Sequence, residues 1–151
     1  MPLADTSSLT QVTSIAIDGH TVRVAVRVGY DGVEHVGRLW FTDPVSDEAA
    51  TPDRGAISGR TQAEVFERAS ELSAEDLTKR YRRAMADKRR FTRLRKTTDE
   101  LIAKVRYLNQ VAIAMRAGML DIDGAAQEID LTERQMHELV DDMRGLAGVE
   151  D

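Results

Sequence analysis

Apolar and polar residues alternate through the first third of the chain. Between Val12 and Phe41 an apolar residue recurs at almost every second position, the period that places side chains on one face of a β-strand. Two Asp-Gly pairs, Asp18-Gly19 and Asp31-Gly32, punctuate this alternation, and such pairs are the strongest short-range signal for two-residue hairpin loops. The pattern predicts a three-stranded antiparallel meander within residues 1–43. Its first loop pairs Ile17 with His20, Ile15 with Val22 and Thr13 with Val24. Its second pairs Val24 with Leu39, Val22 with Phe41 and Val28 with His35. Both loops gather Ile15, Ile17, Val22, Val24, Val26, Leu39 and Phe41 on one face, which needs an apolar cover because a lone meander is marginal in water.

From Asp43 to Arg60 the periodicity lapses, and two prolines and two glycines predict a loop or linker over residues 44–60. The period then lengthens to that of a helix. Thr61-Gln-Ala-Glu64 is a capping box, and Val65, Phe66, Ala69 and Leu72 give the following helix an apolar stripe to set against the sheet. Ser73 opens a second cap. No Gly or Pro intervenes before Gly118, so one long helix is predicted over about residues 74–117. Counting in sevens places Phe91, Leu94, Thr98, Leu101, Val105, Leu108, Ala112, Met115 and Met119 along a seam, which Ile102, Val111 and Ile113 widen. The predicted fold class is α+β: the meander, then a helical region over residues 61–151 with one long helix and a short C-terminal helical pair. At 151 residues, one compact unit is expected.

Charge changes the picture more than composition does. The formal net charge is −5, yet the stretch from Lys79 to Lys96 holds ten cations, Lys79, Arg80, Arg82, Arg83, Lys88, Arg89, Arg90, Arg93, Arg95 and Lys96, against the single acid Asp87. Residues 120–151 carry ten acids and two arginines. The basic half of the long helix therefore either contacts phosphates or meets carboxylates of this chain or of another subunit. Its expected partners are nucleic acid or an acidic protein surface, and a homo-oligomer is a further expectation. A basic helix leading into a seam invites comparison with bZIP proteins, but the basic region lacks their Asn and Ala/Ser pattern and the seam is mixed. On the meander, the face opposite the apolar one displays Arg23, Arg27, Arg38 and Trp40, with Arg23 across from Trp40. Such a face can hold a single strand by stacking and phosphate contacts, or it can be a solvated face carrying a cation–π pair.

The stretch "GMLDIDGAAQEIDLTERQMHELVDDM" resembles the helix-turn-helix of transposase and resolvase type over residues 119–143. The resemblance puts the small pair Ala125 and Ala126 on a first short helix, Ile129-Asp130-Leu131 on the turn, and Thr132 at the cap of a second helix, the whole motif spanning about residues 121–145. It implies a helix that enters the major groove with Glu133, Arg134, His137, Glu138, Asp141 and Asp142 outward. Four of these six are carboxylates, which phosphates repel.

Catalytic chemistry leaves few marks. There is no cysteine, hence no disulfide or thiolate, and His20, His35 and His137 are scattered without metal-ligand spacing. The glycines of the meander precede no helix, and no serine sits in a nucleophile elbow. No metal and no cofactor is expected. The opening residues lack the basic and apolar regions of a signal peptide, and no window approaches the ~18 apolar residues of a membrane span, so a cytoplasmic location away from membranes is expected. The expected function is a non-enzymatic binding module, associated with nucleic acid through the basic helix. The alternative is a protein-interaction or scaffold subunit that assembles through the seam at Leu94, Leu101, Val105, Leu108 and Met115.

Overall fold

Four strands form the sheet where three were expected. The computed structural model describes residues 8–45 and 49–148. In it β1 (Thr10–Ile17), β2 (His20–Tyr30), β3 (His35–Thr42) and β4 (Thr51–Gly59) follow one another, each antiparallel to the next. Helices α1 (Gln62–Ser70), α2 (Ala74–Arg116) and α3 (Ile122–Ala147) complete the chain. It divides into two compact units, Met1–Lys88 and Arg89–Asp151.

In the first unit the β1–β2 hairpin has the expected register, with Ile17 opposite His20 and Ile15 opposite Val22. The second hairpin differs. Asp31 does not begin a two-residue loop; its carboxylate accepts from the amides of Val33 and Glu34, and its own amide donates to the Glu34 carbonyl. These amide bonds hold the Asp31 carboxyl below the ordinary Asp pKa. The loop thus spans four residues and the register slides by two, pairing Val24 with Phe41, Val26 with Leu39 and Ala25 with Trp40. A slide of two preserves the side-chain parity, so every residue stays on its expected face.

The added strand, β4, lies in the stretch expected to be a linker. It is an edge strand, where Pro52 is tolerated because a missing amide costs no ladder bond on the open side. Thr51, Asp53 and Ile57 of β4 are buried on the same side as the core residues of β2 and β3. Against this face lie Val65 and Ala69 of α1 and Leu77 and Ala84 from the first turns of α2, with Phe66, Leu72 and Tyr81 partly buried around them. Tyr81 meets Phe41 edge to face at 5.5 Å. Thr61 caps α1 by accepting from the Glu64 amide, while the Glu64 carboxylate accepts from Arg60 and pairs with Arg68. Arg68 in turn donates to the Ser58 carbonyl, fixing α1 to β4.

In the second unit the C-terminal helical pair is a single helix. Ile129-Asp130-Leu131, expected as a turn, is helical, and Thr132, expected as a cap, sits in the interior of α3 at 2% exposure. The physical reason is continuity of the inward row: Ala125, Thr132, Leu139 and Leu146 recur every seven residues across the expected break. Asp121 is the actual cap, accepting from the Gly124 amide at 2.7 Å. Gly118, with φ +71°, ends the connection from α2.

The close approach of α1 to the sheet yields a stability test. A Cβ on Gly37 would overlap Val65 Cγ1, whereas one on Gly29 would meet nothing within 4 Å. Gly37→Ala should cost about 2 kcal/mol in denaturant unfolding through overpacking, while Gly29→Ala leaves stability nearly unchanged.

Candidate functional site

The ten cations of residues 79–96 do not act alike. In the first unit, Arg80 and Arg83 point at the sheet. The Asp53 carboxylate, with no exposed surface, accepts from Arg80 Nη1 at 2.9 Å, from Arg83 Nη2 at 2.6 Å and from Arg83 Nε at 3.2 Å. Gly55 makes room for this arrangement, since a Cβ there would stand 2.7 Å from Arg83 Nη2 and 2.8 Å from Arg80 Nη1. Two of the residues expected to bind an external anion thus bind an internal one. Lys79 pairs with Glu75 at 3.0 Å one turn away, and Asp87 meets Arg54 of β4 at 3.6 Å. Lys88 is not free either. Arg82 is exposed and makes no ion pair among the described residues.

In the second unit, Arg95 and Lys96 reach Asp99 and Glu100 at 3.8 and 4.0 Å. Such exposed pairs one turn apart contribute a few tenths of a kcal/mol at most. Arg89, Arg90 and Arg93 are exposed, and among the described residues none forms an ion pair. Phe91, 65% exposed, stands among them.

The expected seam divides. Leu94, Leu101 and Leu108 are half-buried and Val111 is buried, while Val105 and Met115 remain exposed. The inward residues of α2 meet those of α3, which runs back antiparallel. Tyr107 of α2 donates to Glu128 of α3 at 2.7 Å, a bond that raises the phenol above its ordinary pKa. The seam is therefore largely used within one chain, and Ile102, Val105 and Ile113 are left outside it.

On the open face of the sheet, Arg27 rather than Arg23 covers the indole, with its guanidinium carbon 4.8 Å from the ring centroid. The two-residue slide explains the exchange: Arg23 now faces Thr42, Ala25 faces Trp40, and Arg27 faces Arg38. The strands of this sheet contain one carboxylate, Asp53, and it lies on the covered face. The charged residues that the strands place on the open face are all arginines.

No family model matches the chain, no curated protein is found similar to it, and no solved structure matches its fold. Among the described residues no three His, Asp or Glu side chains gather as a metal site, and no helix is long and apolar enough to cross a membrane.

Asp53 escaped the sequence reading. Its strand presents Thr51, Asp53, Gly55, Ile57 and Gly59 toward the core, an alternation in which only Ile57 is a large apolar residue. Asp53→Ala should lower stability by about 3 kcal/mol, since removing one member of a buried ion cluster leaves the others unmatched. Lys79→Ala, at an exposed pair, should stay within about 0.5 kcal/mol of wild type. Chemical denaturation of the three proteins checks both.

Proposed function

We propose that the chain is a non-enzymatic binding module that meets nucleic acid through Arg89, Arg90 and Arg93 of α2. The observation that supports this reading is that these three guanidinium groups, within five residues, take no carboxylate partner among the described residues of a chain holding 26 acids. Arginines so placed displace condensed counterions from a phosphate backbone, and that release supplies sequence-independent affinity. Phe91 adds an aromatic surface beside them on which an unpaired base can stack. A chain without cysteine suits a reducing compartment such as the cytoplasm.

A second reading, a protein-interaction or scaffold subunit, is favoured by a separate observation. The α2–α3 hairpin buries few side chains completely, among them Val111, Ala125 and Thr132, and leaves Ile102, Ile113, Ile122 and Ile129 exposed. A two-helix hairpin gains too little from such packing to stand alone in water.

The nucleic-acid reading makes a quantitative demand. Binding to a short mixed duplex should weaken as salt rises, and the triple variant Arg89→Ala/Arg90→Ala/Arg93→Ala should flatten the log–log salt slope by about 3. Fluorescence anisotropy across a salt series reads this. Absence of binding to both duplex and single strand at low salt rejects the reading.

A further inference from the structure

We infer that the open flank of the α2–α3 hairpin is covered by a second copy of this chain, related by a two-fold axis parallel to the hairpin, so that α2 of each copy lies on α3 of the other. The inference rests on the protein-interaction reading and names its partner.

The hairpin has two unlike flanks. Its helices meet along a contact row that includes Leu101 and Leu108 of α2 and Ala125, Thr132 and Leu139 of α3. At 3.6 residues per turn, residues one place before this row and one place after it point to opposite sides. Because the helices run antiparallel, the side reached by advancing along the sequence is the same for both. The preceding flank is mainly polar, with Leu131 as an exposed apolar residue on it. Tyr107 bonds Glu128 there, and Glu100, Lys104, Gln135, Glu138 and Asp142 line a common groove.

The following flank carries exposed branched aliphatic residues on both helices, with Asn109 and Arg106 among them on α2. On α2 it presents Ile102, Val105 and Ile113; on α3 it presents Ile122, Ile129 and Val140, and all six are between 40% and 78% exposed. The α3 residues belong to the row Ile122, Ala126, Ile129, Glu133, Met136 and Val140, spaced alternately by four and three as in a coiled-coil seam. This outer row is more apolar than the inner one, which contains Glu128, Thr132 and Gln135. Several branched aliphatic residues this exposed on one flank are the kind of apolar surface that marks an interaction site.

Charge selects a like partner and its orientation. The groove shows that Glu138 and Asp142 lie level with Glu100 and Lys104, so the acidic end of α3 and the Arg93–Lys96 end of α2 are the same end of the hairpin. A two-fold along the hairpin sets each basic end over the other copy's acidic end. A two-fold across it would set Asp141 and Asp142 over Asp121 and Asp123, and Arg93 to Lys96 over Arg116, like charge on like. One pair is specific. Glu133 is the single charged residue of the outer row, and Arg106 is exposed on the same flank of α2 at about the same level. Within one hairpin Arg106 has no ion-pair partner among the described residues and Glu133 has only His137, 3.7 Å away one turn along α3; across the level-matched interface Arg106 and Glu133 face each other.

Sedimentation velocity and light scattering on the full chain over a wide concentration range test this. The expected result is a dimer that Ile129→Lys converts to a monomer with helical circular dichroism retained. Arg106→Glu and Glu133→Arg should each raise the dissociation constant about tenfold or more, and the double variant should restore it. Dimers spin-labelled at Ala117→Cys, the sole thiol, should show a short label-to-label distance; the reversed arrangement places the labels roughly 40 Å apart. A chain that stays monomeric, a double variant that does not restore association, or a long label distance overturns the proposal. For a monomer, an apolar dye separates the two failures. Dye binding abolished by Ile129→Lys keeps the protein-interaction reading without the second copy, whereas no dye binding sinks both.

Discussion

One carboxylate holds the first unit in its shape. Asp53 has no exposed surface and sits between the guanidinium groups of Arg80 and Arg83. An isolated carboxylate in that place would cost several kcal/mol of lost hydration, so strand β4 can turn this side chain inward only if cations come with it. They arrive on the first turns of α2, which fixes where that helix begins to run along the edge of the sheet. Leu77 and Ala84, on the same side of the helix, then enter the core beside Val65 and Ala69. Gly55 completes the constraint, because any side chain there would occupy the space of the guanidinium groups. Unlike an apolar contact, this joint has direction: two planar donors and one acceptor set both the rotation of α2 and its position along β4.

The same joint reassigns part of the basic run. A dense row of arginines reads as an external anion site when only its sequence is visible, yet two of its members, Arg80 and Arg83, balance a charge inside the protein. The later ones differ in physical state. Arg95 and Lys96 make loose pairs one turn along, and Arg89, Arg90 and Arg93 have none among the described residues. Cation density is therefore a poor guide to free charge. What matters for a partner is how many cations keep their full interaction with solvent ions to be released on contact.

Legibility followed the strength of the local signal. Asp18-Gly19, two positive-φ residues, set the first hairpin's register from Ile17 back to Thr13, beyond which an irregularity between Gln11 and Thr13 shifts the pairing by one. Asp31-Gly32 did not, because the Asp31 side chain folds onto the amides ahead of it and builds a longer loop, an alternative that the same dipeptide permits. Parity protected the faces from that error but not the pairing, which is why Trp40 was found and its partner misassigned. Strand β4 was hidden for a different reason: its inward residues are a Thr, an Asp, two glycines and one Ile, and their burial depends on groups nearly thirty residues away. In α3, Thr132-Glu-Arg-Gln135 has the chemistry of a cap, but a cap acts only where the helix has a reason to start. The inward row runs straight through it, and tertiary contact outweighs the local preference.

The two units meet one physical requirement in unlike ways. A sheet and a helical hairpin each have two sides, and a chain of this length covers one side of each. For the sheet, the uncovered side is made compatible with water by arginines, short residues and an indole shielded under Arg27. The hairpin's uncovered side receives no such treatment. Most of its polar residues lie on the flank where Tyr107 meets Glu128, and the other flank keeps branched aliphatic residues at seam spacing alongside Arg106, Asn109 and Glu133. Apart from Leu131, the exposed branched residues of the hairpin lie on the same side of both helices, with one carboxylate and an arginine at its level among them, and that grouping is what supports reading this side as an interface.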